Sequence, residues 1–396
     1  MLQAISKNGN MIMLHTMTNI EIEKSKQKQP YFCPACKQQV IIKAGSKVIP
    51  HFAHRSTSNC PINEGGEGAY HAKGKLLLYN WLIHQKLDVQ LEVFISEINQ
   101  RPDLLLTINR KRIAIEYQCA RVRPEQIRQR NAGYAHAEIT PIWILGENLL
   151  KRQTKHHLKI DQFSQQFIHQ FSSDTPLTLF YFCPQTLQFI TFQDIFFTQT
   201  RQAIGKLDVR SLTQMNFTHL FMKKPFTQLE LYQLWKNEKY KFRLKPTNHL
   251  YGTELAWRQW LYLKGTHLEY LPSIIHLPVS SQYRMKTSPW DWQSRIAIDL
   301  LAPLPVESHI SITATEHFLR KQFLSPQYFP LSHSTENPIT QYLQLLSHLD
   351  IVKQKTVHSF TKINPVKFHK NIEDALKADE AMMDFLVAKA SDKIQA

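Results

Sequence analysis

The chain has 396 residues, 43% hydrophobic and 11% aromatic, enough for two or three packed domains and too apolar for disorder. Lys and Arg number 48 against 32 Asp and Glu, a formal charge of +16 that favours a polyanionic partner, DNA above all, by counterion release. No apolar run reaches the roughly 20 residues of a membrane span, Met1 to Lys7 lack a signal-peptide core, and an odd count of five cysteines suits a reducing compartment, so a cytoplasmic location is expected.

The first element with chemical content is Cys33-Pro34-Ala35-Cys36, a CxxC turn followed by the strand-like Val40-Ile41-Ile42 and then by His51, His54 and Cys60. Zn²⁺ favours four Cys and His ligands in a closed tetrahedral site, and a segment this short has few large apolar residues to fold around without one. The expected ligands are Cys33, Cys36, His54 and Cys60; His51 is an alternative to His54 or Cys60 that spacing does not separate. The expected chemistry is structural. Lys37, Lys43, Lys47 and Arg55 decorate the same module and leave open whether it also meets DNA.

From about Gly68 the pattern is helical, and Glu67, His71 and Lys75 fall four apart on one row that runs into Leu78 and Leu82. A row continuing into large apolar residues faces the interior. An acid, an imidazole and an ammonium aimed there need partners, because burying charge without one is costly. Two short strands follow, Leu104 to Ile108 and Arg112 to Cys119, with the polar Asn109-Arg110-Lys111 between them as a turn. A turn at Arg110-Lys111 would set Asp103 opposite Gln118 and diagonal to Glu116, so that Asp103, Glu116 and Gln118 share one site. Two carboxylates held close are costly unless a cation neutralises them. Oxygen ligands of this kind suit Mg²⁺ or Mn²⁺, and such an ion activates water and steadies charge on a phosphate.

Arg123-Pro124-Glu125 opens a helix carrying Ile127, Arg130 and Tyr134, and Ile139 to Leu145 reads as the next strand. Residues 151 to 172 read as helical, and Leu177 to Cys183 with Leu187 to Phe192 as a hairpin about Pro184-Gln185-Thr186. Cys119 and Cys183 lie in apolar runs and read as core. Beyond residue 200, helices are expected at Leu229 to Trp235, Glu254 to Tyr262, Thr340 to Leu349 and Asn371 to Lys393. Phe242, Trp257, Trp260, Tyr262, Trp290 and Trp292 stand among cations, a composition that serves either helix packing or stacking on single-stranded bases; packing is the favoured reading. No Gly-rich phosphate loop supports an ATPase.

Taken in this order, Cys33-Pro34-Ala35-Cys36, His51-Phe52-Ala53-His54, the Glu67/His71/Lys75 row, Pro102-Asp103, Glu116-Tyr117-Gln118, Arg130 with Tyr134, and Ile142-Trp143-Ile144-Leu145 resemble the competence protein CoiA family. The central domain of that family resembles the PD-(D/E)XK nuclease superfamily. The resemblance implies an α/β fold: a zinc-ribbon-like module over 1–64, a restriction-endonuclease-like core over 65–200, and a mostly helical C-terminal domain over 201–396. It implies action on incoming DNA in natural transformation, on single strands or recombination intermediates and with recombination proteins as partners, by divalent-metal-dependent phosphodiester hydrolysis. The site residues would be Glu67, His71, Lys75, Asp103, Glu116, Gln118, Arg130 and Tyr134, with Asp103 and Glu116 holding the ion. Gln118 departs from the superfamily pattern, which has lysine there. The rival reading is a DNA-binding adaptor that keeps the fold without cleaving.

Overall fold

The computed structural model describes residues 1–28, 30–45, 48–55, 60, 68–245, 250–332 and 334–395. At the N-terminus, Gln3–Ser6 (β1), Met11–Met13 (β2), Tyr31–Phe32 (β3), Gln39–Gly45 (β4) and Val48–His54 (β5) form an antiparallel sheet of order β2-β1-β3-β4-β5, with the helix Asn19–Lys28 (α1) inserted after β2. Its core is small: Leu14, Ile22, Tyr31, Val40 and Phe52 gather around the buried Cys33.

The helix Ala69–His84 (α2) begins after Gly68, as the apolar row requires. The strands Asp88–Leu91 (β6), Leu104–Ile108 (β7) and Lys111–Gln118 (β8), the helix Pro124–His136 (α3), the strand Ile139–Gly146 (β9) and the short strand His157–Lys159 (β10) follow. After the one-turn helix Gln162–Gln165 (α4) come Thr178–Cys183 (β11), Gln188–Phe197 (β12) and Gln202–Ser211 (β13), completing an eight-stranded sheet of order β10-β13-β12-β11-β9-β8-β7-β6. Only the central pairs β8 with β9 and β9 with β11 are parallel, and α3 makes the first of those two crossovers.

The period of two along β8 divides its side chains between two cores. Ile115 and Tyr117 join Leu104, Leu106, Ile142 and Ile144 under Leu78, Trp81 and Leu82 of α2. On the opposite face Ala114 packs with Leu105, Ile139 and Tyr134 of α3. The hairpin turns one residue earlier than the sequence suggested, at Asn109-Arg110 rather than Arg110-Lys111. Asn109 and Arg110 both take left-handed backbone, at φ 48° and 66°, the pattern of a two-residue turn that matches strand twist. Ile108 therefore pairs with Lys111 and Leu104 with Ile115, a register that extends to put Asp103 across from Glu116 rather than Gln118.

Residues 151–172, expected to be helical, form β10 and the single turn of α4 instead. Leu158 and Ile160 are buried on either side of an exposed Lys159, and pairing of β10 along the edge of β13 satisfies that alternation. The hairpin of β11 and β12 lies where it was expected.

The C-terminal region contains Gln228–Arg243 (α5), Gly252–Leu263 (α6), Pro289–Arg295 (α7), Ile312–Leu319 (α8), Pro338–His348 (α9) and Ile372–Gln395 (α10). It also contains a three-stranded antiparallel sheet that the sequence did not suggest, His309–Ser311 (β14), Val352–Thr356 (β15) and Ser359–Lys362 (β16), ordered β14-β16-β15. Phe242, Trp257, Trp290 and Trp292 are buried in its core, while Tyr262 is 71% exposed. Among the described residues no helix is long and apolar enough to cross a membrane.

Gly74 is where α2 comes closest to the sheet. A Cβ built there would lie 2.0 Å from Cε1 of Tyr117, whose ring is fully buried. Gly74→Ala should therefore overpack this contact and lower stability by about 1–3 kcal/mol, measured as a drop in the urea midpoint with the slope unchanged.

Candidate functional site

The carboxylates expected to act together come from adjacent strands. Asp103 enters β7 and Glu116 lies near the end of β8, and both line an open cleft of about 920 Å³. The cleft is also lined by Lys43, Arg55, Lys75, Arg101, Arg121, Arg123 and Arg130, and by His71 and Gln118. Among its described lining residues Asp103 and Glu116 are the only acids.

Each carboxylate is met from a different face of the sheet. From α2, His71 Nε2 stands 3.2 Å from Asp103 Oδ2 and Lys75 Nζ 3.4 Å from Oδ1, while the Tyr117 amide donates to Oδ2 at 2.9 Å. From α3, Arg130 donates through Nε to Glu116 Oε1 at 3.2 Å and through a second guanidinium nitrogen, and the Tyr134 hydroxyl donates to the same oxygen. The i, i+4 spacing of Arg130 and Tyr134 lets both reach one atom. Oε2 of Glu116 accepts no hydrogen bond among the described residues.

These surroundings drive the two acids apart. Burial alone would raise Asp103, but His71, Lys75 and the Tyr117 amide hold it well below the usual aspartate range. Burial pushes Glu116 up to about 7 against the opposing pull of Arg130, and the nearby charge of Asp103 pushes the same way as burial. One carboxylate ionised and its neighbour poised near neutrality is a pattern found at working sites, because like charges in low dielectric do not ionise together at little cost.

Sequence reasoning missed Glu92. It follows β6 in left-handed backbone, φ 49°, and is 1% exposed. One of its oxygens pairs with Lys75, which is 2% exposed, and Oε2 accepts the Leu2 amide at 2.7 Å. Lys75 thus bridges Glu92 and Asp103, and removing one partner would strand a buried charge at a cost of about 3–5 kcal/mol. A lone Glu after a short strand carries no signal in sequence; only its position under α2 gives it a partner. Gln118 lines the cleft, and its amide donates to the Ala120 carbonyl at 2.5 Å. Glu67 lies outside the described residues.

The N-terminal cysteines and histidines resolve into one set. Sγ of Cys33, Cys36 and Cys60 and a ring nitrogen of His54 lie within 4.8 Å of one another, compact enough for four ligands around one ion. A Cys₃His set with a buried cysteine at its base could bind a structural metal such as zinc. His51 is outside the set; its Nδ1 lies 2.9 Å from the Ile49 carbonyl.

Three models of one family match successive segments of the chain. Residues 14–63 match the model of the competence protein CoiA N-terminal domain, 67–225 that of its nuclease-like domain and 231–376 that of its C-terminal domain. The competence protein CoiA of Bacillus subtilis (strain 168) is 30% identical over 284 residues, 71% of this chain and 74% of that protein. The chain belongs to the competence protein CoiA family. The cleft lies mainly in the segment matched by the family's nuclease-like domain, and residues from the N-terminal domain segment join its lining. No solved structure matches the chain.

Two measurements test this geometry. Because the folded pKa of Glu116 lies above its unfolded value of 4.5, the folded chain holds the extra proton between 4.5 and about 7, and stability falls as pH rises through that window. Asp103, depressed in the fold, is ionised throughout the window and adds no slope. Glu116→Gln should remove this component, so its urea midpoint should gain on wild type steadily from pH 4.5 to 7; a constant difference would refute the assignment. In the N-terminal module, Cys36→Ser should abolish about one bound zinc per chain by elemental analysis and loosen the surrounding sheet, with α/β core exchange protection retained.

Proposed function

We propose that this chain acts in competence as a DNA-processing protein whose central domain is restriction-endonuclease-like and hydrolyses phosphodiesters with a divalent ion. The observation that carries the reading is the Asp103–Glu116 pair on the floor of a cleft otherwise charged by lysine and arginine. The chain order α2, β6, β7, β8, α3, β9, with the acids on β7 and β8, supports it, β6 being an additional edge strand. So does the donor set, since Asp103 and the open Oε2 of Glu116 offer hard oxygen ligands suited to Mg²⁺ or Mn²⁺.

When bound, such an ion would activate water and neutralise charge on the phosphate. The chain's own groups then have separable tasks. The cationic lining draws in the phosphate backbone and fixes its path. Asp103, kept ionised by His71 and Lys75, would serve as a permanently anionic ligand to the ion. Arg130 and Tyr134 hold Glu116 through Oε1 and so orient Oε2. Lys75, arriving from α2, puts a cation beside Asp103 and takes the part that lysine plays at the Gln118 position elsewhere in the superfamily. Cys33, Cys36, His54 and Cys60 would hold a structural zinc.

The adaptor reading, DNA held but not cut, draws on a specific observation: Gln118 is engaged with the Ala120 carbonyl, and Glu116 is engaged by Arg130 and Tyr134. Cleavage separates the two. Purified protein incubated with labelled single-stranded, duplex and branched DNA should produce cuts that require Mg²⁺ or Mn²⁺. Asp103→Asn and Glu116→Gln should each slow them by about a hundredfold or more while DNA affinity stays within a few-fold. Divalent-independent cutting by the protein would overturn the metal-dependent reading, and no cutting of any substrate would favour the adaptor.

A further inference from the structure

We propose that the metal-binding module forms the second wall of the nucleic-acid cleft, its Lys43–His51 edge and Arg55 holding the phosphate backbone against Asp103 and Glu116. This deepens the function proposed above and rests on its DNA-binding part, not on cleavage.

The cleft is bounded by two parts of the chain far apart in sequence. Lys43, His51, Phe52 and Arg55 line it from the N-terminal sheet, and the acids with Arg121 and Arg123 line it from the α/β core. Lys43 and His51 are direct cross-strand partners on β4 and β5, so their side chains leave the sheet on one face. Lys43 and Arg55 are exposed, and among the described residues neither pairs with an acid. The acids of α1, Glu21 and Glu23, do not line the cleft. Among the described residues this wall carries two permanent cations, a histidine and no carboxylate, which complements a polyanion.

The wall is also fixed in place. Leu2 is fully buried in the core beneath α2, its amide is held by Glu92 and the Gln3 side chain donates to the Leu91 carbonyl. The Phe52 amide donates to the Met1 carbonyl at 2.8 Å, which ties β5 to the same anchor. His54, in the candidate metal-ligand set, immediately precedes Arg55, so a metal held there would also fix the backbone beside that cation. The module is therefore placed to act on the ligand as well as to fold.

The test uses the full chain and a labelled oligonucleotide, with binding read by anisotropy without divalent ions across a salt series. The double substitution Lys43→Ala, Arg55→Ala should weaken binding about tenfold at low salt and reduce the log–log salt slope by about 1 to 2, as loss of two phosphate contacts requires. Zinc content and the urea midpoint should stay at wild-type values. A control pair of equal charge on β15, Lys353→Ala with Lys355→Ala, should leave affinity and slope unchanged. Unchanged binding in the cleft variant, or an equal loss in the control, overturns the proposal. A wild type that binds without cutting overturns only the hydrolytic reading; a wild type that does not bind DNA overturns both.

Discussion

Two carboxylates on neighbouring strands, out of bulk water, set the constraint around which this molecule is arranged. Their repulsion in a low-dielectric setting is costly unless the charge is shared or countered. The fold counters it from opposite faces: α2 delivers His71 and Lys75 to Asp103, and α3 delivers Arg130 and Tyr134 to Glu116. The division works because β8 is covered by α2 on one face and by α3 on the other. Gly74 permits the close approach of α2 to the Tyr117 ring, and the two left-handed residues of the β7–β8 turn set the register that brings the acids across from one another.

Glu92 extends this arrangement to the N-terminal module. Its strained backbone and near-complete burial are compensated by an ion pair on one oxygen and a backbone amide on the other. The same carboxylate therefore locates the lysine of the site and the first strand of the module. Placement of the cleft's two walls is then a property of buried bonds rather than of the connecting segment, and a perturbation at either end has a short physical route to the other.

The C-terminal region is organised differently. A buried ionic knot joins α5 to α10, with Arg243 bidentate to Asp379 and also donating to the carbonyls of Leu268 and Leu271, and Lys239 3.4 Å from Asp379. Burial lowers Lys239 to about 8 even beside that acid. Phe196 and Ile204 of the large sheet pack against Trp235 of α5 and Leu386 of α10, so the helices continue the α/β layer structure. Most of the aromatics that stand among cations in the C-terminal sequence are used for packing.

Local chemistry was legible in the sequence because it depends on short spacing. The CxxC turn, the His71/Lys75 row above Leu78 and Leu82, the strand alternation of β7 and β8 and the Arg130/Tyr134 pair each follow from a period of two or of 3.6, and the structure places them as those periods dictate. Four of the five candidate zinc ligands could be named, but the exclusion of His51 from the set rests on the cross-strand pairing of β4 with β5. The helix expected over 151–172 failed because edge pairing with β13, a partner more than 40 residues away, decides the state of a weakly patterned segment. Glu92 was invisible for the same reason: a charge becomes a structural element only when a fold removes it from water and hands it a partner. Sequence fixes which side chains a turn or a helix face can present together; the pairing of those faces, and with it the register of the acids and the closure of the cleft, belongs to the tertiary structure, because burial and long-range contact set the energies that choose between them.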